Sequence, residues 1–168
     1  LFGLVVHLPH VTHLDRSILD ALVAVRTPAL TQVMLVVTNV FAPLLAVSWT
    51  IVLGCVIRVL SGSWREGFVI PAAMVSSSAI TALIKEFIER IRPTFPERLV
   101  VEGSYSFPSG HSFNTAVFAG ALAGFVLFSP ASRRSKAVAA AGAGAVATAV
   151  GLSRVYLAHH WFTDVLAG

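Results

Sequence analysis

The 168 residues are 56% hydrophobic and only 12% charged, with a formal net charge of +4 and a mean hydropathy of +0.81. Soluble domains carry about a quarter charged residues, so this chain lacks the polar surface to coat a water-soluble globule, and its few scattered cations make no nucleic-acid footprint. The single cysteine, Cys55, leaves no disulfide framework and no cysteine-based metal site within one chain.

In chain order, the opening LFGLVVHLP is too short an apolar stretch to cross a bilayer. It has no basic n-region of a secretory signal peptide, and reads as the remnant of a truncated span. In the segment 7–28 that follows, Asp15, Ile18, Leu19 and Leu22 fall at helical spacing. That spacing predicts an amphipathic interfacial helix, placed to roof a site or to guide lipid towards it. His7, His10 and His13 recur every third residue there; a metal reading competes with ordinary interfacial histidines, and only Asp15 and Asp20 stand near as carboxylates.

Four complete apolar spans follow, over about 32–58, 67–89, 110–129 and 137–157. A spanning helix needs about 20 predominantly apolar residues, with polar groups tolerated at its ends. The last span holds the small-residue run AAAGAGAVATAVG (139–151), which suits close helix packing. The chain then stops at DVLAG, where another apolar segment begins. The fold class expected is all-α: a multi-pass transmembrane helical bundle forming one domain over 1–168, truncated at both ends.

Alternating spans sort the loops onto two faces. One receives 9–31, 86–109 and 153–164; the other receives 61–66 and 129–136, with the dense cations Arg58, Arg65, Arg133, Arg134 and Lys136. Short loops dense in Lys and Arg stay cytoplasmic. The first face, expected outside an inner (plasma) membrane, also collects nearly all the reactive polar residues.

Three clusters lie on that face. In KEFIERIRP (85–93), Lys85 and Arg92 are seven apart, which stacks them on one helix face, two turns apart; Pro93 ends the helix near Arg92. A planar fork and a point charge suit phosphate, although a basic helix end snorkelling to headgroups suits the same pattern. Glu86, Glu89 and Arg90 read as a solvated, mutually compensated surface. In YSFPSGHSF (105–113), Ser109 and Gly110 open the next helix with His111 in its first turn. Unsatisfied N–H groups there attract an anion, while an ordinary capped helix is the plain alternative. In SRVYLAHHWFTD (153–164), His160 and Asp164 are i and i+4 if a helix starts there, so a carboxylate can orient that imidazole. His159 would face headgroups or a loop. Together the clusters supply cations, a helix N-terminus and two histidines, an inventory suited to phosphoryl transfer.

K-x6-RP (Lys85, Arg92, Pro93), PSGH (Pro108 to His111) and SR-x5-H-x3-D (Ser153, Arg154, His160, Asp164) resemble the three signature motifs of the type 2 phosphatidic acid phosphatase (PAP2) superfamily. The resemblance implies that Lys85, Arg92 and Arg154 bind phosphate oxygens, completed by Ser109 and the Gly110 amide. It makes His160 the nucleophile of a phosphohistidine intermediate, held by Asp164, and His111 the acid that protonates the leaving oxygen. It also implies no metal or other cofactor, and six spans in the intact protein. Expected partners are membrane lipids and a lipid-phosphate substrate, either a polyprenyl pyrophosphate or a phospholipid phosphate. A lipid phosphotransferase using the same phosphohistidine, or a non-enzymatic lipid or ion transporter, are the alternative functions; the oligomeric state is left open.

Overall fold

The computed structural model describes residues 6–94, 98–99 and 102–168, and no strand occurs among them. Seven helices are described: α1 (Pro9–Ala24), α2 (Pro28–Val40), α3 (Pro43–Ser61), α4 (Trp64–Ile88), α5 (Gly110–Leu127), α6 (Arg133–Tyr156) and α7 (Phe162–Ala167). The first three begin with proline, whose missing N–H costs nothing at the first helical position. Ser63, Ser109 and Ser132 cap α4, α5 and α6 by accepting a backbone N–H three residues on.

Three helices, α4, α5 and α6, are long and apolar enough to cross a membrane. The span expected over 32–58 is bent rather than straight: α2 ends at Val40 and α3 restarts at Pro43, with a 50° bend between Pro28–Val40 and Leu45–Ser61, and the two together are long and apolar enough to make a fourth crossing. The break falls at Pro43, a residue with no backbone N–H to continue the helical ladder. Pro71 sits inside α4 without ending it.

Large apolar side chains such as Val59, Phe68, Leu83, Phe87 and Phe128 are exposed around the bundle, as a lipid-facing surface requires. Inside, α3 and α4 approach backbone to backbone: a Cβ on Gly54 would collide with the Gly67 carbonyl, and one on Gly67 would lie 2.8 Å from the Gly54 carbonyl. Ser77 donates to Asn114 Oδ1 at 2.9 Å, a polar clasp between α4 and α5. In the small-residue run of α6 the close packing that composition suggests is confined to one end. Nothing would meet a Cβ on Gly142 or Gly144, whereas one on Gly151 would lie 2.6 Å from Val165 Cγ1 of α7. The close approach is at the end that carries the polar residues.

At that end α1 lies against α6 and α7. Leu19, Val155 and Ala158 are buried together, packed by Ile18, Leu22, Val23, Trp161, Phe162 and Val165. The apolar stripe read for this segment is therefore a docking face on protein. His7, His10 and His13 are exposed, and no cluster of three metal-ligating side chains occurs among the described residues.

Candidate active site

Two breaks in helical structure build the site. The α4 helix stops at Ile88, earlier than Pro93 predicts. Glu89 takes a left-handed conformation with φ 51° and its N–H returns to Lys85 O. Arg90 to Thr94 are non-helical, so Lys85 and Arg92 do not stack on one helix face as the spacing implied. They converge differently, on a shared acceptor. Lys85 Nζ donates to the Tyr105 carbonyl at 2.5 Å and to that of Ser106 at 3.2 Å, and Arg92 Nη2 donates to Tyr105 O at 3.3 Å.

The second break is at 157–161. Ala158, fully buried at φ 56°, reverses the chain so that the N–H groups of His159 and His160 both reach Arg154 O, at 2.9 and 3.2 Å. A left-handed conformation is strained for a residue with a Cβ; here packing and two hydrogen bonds hold it. His160 thus precedes α7 rather than lying on it. Asp164, third residue of α7, reaches back to accept the Trp161 N–H at 2.9 Å, half of a capping box. The i to i+4 proximity survives, through capping geometry instead of a helix ridge.

His160 is buried, with Nε2 3.1 Å from Arg92 Nη1 and Nδ1 3.4 Å from Asp164 Oδ2. Arginine has only donors, so Nε2 is the unprotonated nitrogen and Nδ1 carries the proton, near Asp164 but without a formed hydrogen bond. Burial first, then the charges of Arg92, Arg154 and Lys85, push the His160 pKa well below its ordinary value. The imidazole is neutral, with a lone pair on the nitrogen that faces the cations. That is the nucleophilic form.

The α5 start matches expectation. Ser109 is the N-cap, its Oγ accepting Ser112 N at 3.3 Å and Ser112 Oγ at 2.9 Å, while its own N–H donates to Asp164 O at 2.9 Å. The N–H thereby ties the helix start to α7, while the hydroxyl only accepts and keeps its own O–H to donate. Gly110 occupies the first helical position, where an N–H has no intrahelical acceptor. His111 lies in the first turn, within electrostatic range of Arg154, Glu102, His159 and Arg92. Arg154 is 2% exposed; its Nη1 donates to Thr38 Oγ1 of α2 at 3.0 Å, and its Nε has no hydrogen-bond partner. The structure thus brings Lys85, Arg92, Arg154, Ser109, Gly110, His111, His160 and Asp164 to one end of the bundle.

Several neighbours escape a motif reading. Arg90, expected on a solvated surface, is 5% exposed; Glu86 and Glu89 are exposed as expected. Arg90 Nη1 donates to Asp164 Oδ1 and to Thr163 Oγ1 at 2.8 Å, and Nη2 donates to Asp15 Oδ2 at 2.6 Å. Asp15 also accepts from the Thr163 N–H at 2.9 Å and its hydroxyl at 2.6 Å, and Ser106 Oγ donates to Asp164 Oδ2. The early helix end turns Arg90 inwards. A helical projection through Arg92 hides it, while a buried Asp15 on an otherwise apolar stripe is the signal that a partner exists.

His159 does not face headgroups. It is 4% exposed, with Nδ1 3.2 Å from Glu102 Oε1. Glu102 also takes Arg154 Nη2 at 2.5 Å and Arg92 Nη2 at 2.8 Å. Burial acts to raise the Glu102 carboxyl, but His159, Arg154 and Arg92 outweigh it and hold it well below the usual carboxylate range. No sequence pattern marks Glu102, a lone acid in a loop.

The sequence matches the PAP2 superfamily over residues 66–168. It is similar to phosphatidylglycerophosphatase B of Bacillus subtilis (strain 168), 35% identical over 164 residues that cover 97% of this chain and 80% of that protein. The crystal structure of a transmembrane PAP2-type phosphatidylglycerolphosphate phosphatase from Bacillus subtilis superimposes with a TM-score of 0.89 at 34% identity, covering 99% of this chain and 82% of that one.

Proposed function

Because this chain belongs to the PAP2 superfamily, as an integral membrane lipid phosphatase of that type, we propose that it hydrolyses its substrate through phosphorylation of His160. The observation that carries this reading is the pairing of His160: Nε2 towards Arg92 at 3.1 Å, Nδ1 towards Asp164 at 3.4 Å. One nitrogen faces a carboxylate that attracts its proton, and the other is turned with its lone pair to the place where three cations converge.

In the first step Arg92 Nη1 exchanges its contact with Nε2 for a phosphate oxygen, and the freed lone pair forms a bond to phosphorus as the bond to the leaving oxygen breaks. The departing electron pair stays on that oxygen, which takes a proton from His111. Lys85, Arg92, Arg154 and the Gly110 amide bind the other oxygens as charge shifts onto them. Ser109 completes this cradle through its hydroxyl, which accepts from Ser112 and keeps its O–H to donate to a phosphate oxygen. In the second step water attacks phosphorus, the P–N bond breaks with its pair returning to Nε2, and His111 accepts the proton of the water. Every group needed belongs to the chain, so turnover requires no metal.

The substrate favoured is a phospholipid monophosphate of the phosphatidylglycerophosphate type, on the strength of the Bacillus relatives. A polyprenyl pyrophosphate presents the same terminal phosphate and is the second candidate. The basic residues Arg58, Arg65, Arg133, Arg134 and Lys136 at the opposite end support a site on the extracytoplasmic face of the plasma membrane. The test is phosphate release in detergent with a metal chelator present, comparing phosphatidylglycerophosphate, phosphatidate and a polyprenyl pyrophosphate. Release from the first at the highest kcat/KM is expected. No release from any of them, or release that needs a divalent cation, would overturn the reading.

A further inference from the structure

Glu102 stands where a phosphate should. Arg92 and Arg154, 5% and 2% exposed, both direct Nη2 onto its carboxylate, at 2.8 and 2.5 Å, and the His159 ring approaches to 3.2 Å. Glu102 itself is 28% exposed, so it closes the outer side of the cradle while the cations form its floor. A carboxylate and a phosphate present similar pairs of oxygens to an arginine fork. They compete for the same N–H groups, and two anions cannot share them without strong repulsion. Arg154 Nε, buried and without a partner, shows that the carboxylate satisfies the cradle incompletely. An anion with a third oxygen has a donor waiting for it.

We propose that Glu102 is a displaceable internal anion that sets which phosphates the site accepts. In the empty site it neutralises Arg92 and Arg154 and keeps both forks in place. A substrate phosphate must expel it, and after hydrolysis it returns and helps to eject inorganic phosphate. Ligands therefore bind only when something besides the phosphate offsets the loss of those contacts. A lipid phosphate supplies that through its buried apolar chain; inorganic phosphate and small soluble phosphate esters do not. Selectivity for lipid esters then arises in the headgroup site as well as along the tail.

The inference rests on the phosphate-site reading above, and one experiment separates the two. Wild type and Glu102→Gln are assayed in detergent with a short-chain lipid phosphate, and inorganic phosphate is titrated as a competitive inhibitor. Glutamine keeps the shape and one acceptor but loses the charge. Inhibition should tighten about tenfold in Glu102→Gln, the scale of one lost charge-assisted contact. Its preference for the lipid phosphate over p-nitrophenyl phosphate in kcat/KM should fall by a similar factor. Glu102→Asp, charged but one methylene shorter, should lie between the two, and serves if Glu102→Gln is not recovered folded. Phosphate inhibition that is unchanged or weaker in the variants would show that Glu102 only supports the arginines, and would overturn the inference. Wild-type enzyme that neither turns over the lipid phosphate nor is inhibited by phosphate would instead overturn the site reading itself.

Discussion

Arg90→Gln removes the charge that joins α1 to the candidate catalytic carboxylate. Arg90 lies between Asp15 and Asp164, whose side chains are 1% and 0% exposed, so its loss strands two buried anions. Breaking one buried ion pair costs about 3–5 kcal/mol, because the remaining charge stays desolvated. Here both carboxylates keep other donors: Thr163 N–H and hydroxyl for Asp15, Trp161 N–H and Ser106 hydroxyl for Asp164. The cost should therefore sit near the lower figure, about 3 kcal/mol in total rather than per anion. For a chain of this length that is a fall in Tm of roughly 6–12 °C. Thermal unfolding in detergent checks it, with kcat/KM on a short-chain lipid phosphate measured in parallel. Asp164 loses one of its anchors, so kcat should fall more than KM rises. Adding Asp15→Asn to Arg90→Gln should cost at least about 1 kcal/mol less than the sum of the single changes, since the second change removes a stranded charge. A Tm within about 2 °C of wild type, or strictly additive effects, would refute the reasoning.

The other expectations are briefer. The acid limb of kcat/KM for wild type should lie below 6.5, the ordinary histidine value, because burial and the neighbouring cations keep His160 neutral. Arg92→Gln removes one of those charges and should move that limb upwards; a limb at or above 6.5 in wild type, or one unmoved in the variant, contradicts the assignment. The same lowered pKa makes the unfolded chain bind the proton first. The stability contribution is thus present above 6.5 and is lost as pH falls below it, with a slope of at most about 1.4 kcal/mol per unit. Gly151→Ala drives a Cβ into Val165, 2.6 Å away, and should destabilise by about 1–3 kcal/mol while lowering kcat through displacement of Asp164; unchanged Tm and kcat would show that α7 is not seated as described. His159→Ala should reduce turnover only partly, through the loosened Glu102, whereas His160→Ala should abolish it; equal loss in both would argue against His160 as the sole nucleophile.

The sequence makes legible whatever depends on composition and on motif identity. Uncharged stretches locate the spans because hydrocarbon tolerates little else, and PSGH locates the α5 start because Ser109 and Gly110 are cap and first-turn residues. Sequence spacing fails where the backbone leaves the helix. Lys85 and Arg92 meet through the Tyr105 carbonyl, and His160 meets Asp164 through a cap. Each pair is close, but neither by the helical projection that first linked it. Glu89 and Ala158, both at positive φ, carry no glycine to announce the turns that invert Arg90 and His159 into the protein. Pro43 marks its break in plain text, yet hydropathy alone smooths the surrounding 32–58 into one span. Partners such as Thr38, Glu102 and Thr163 are ordinary polar residues in sequence. Only the folded chain shows what buried charge each one answers.

The central claim is that phosphate passes through His160. Quenching turnover of a 32P-labelled lipid phosphate in alkali and mapping the label by peptide mass spectrometry tests it most directly. The account predicts an acid-labile, base-stable phosphate on His160 in wild type that is lost in His160→Ala. Label on Ser109 or His159, or turnover that persists in His160→Ala, would contradict it.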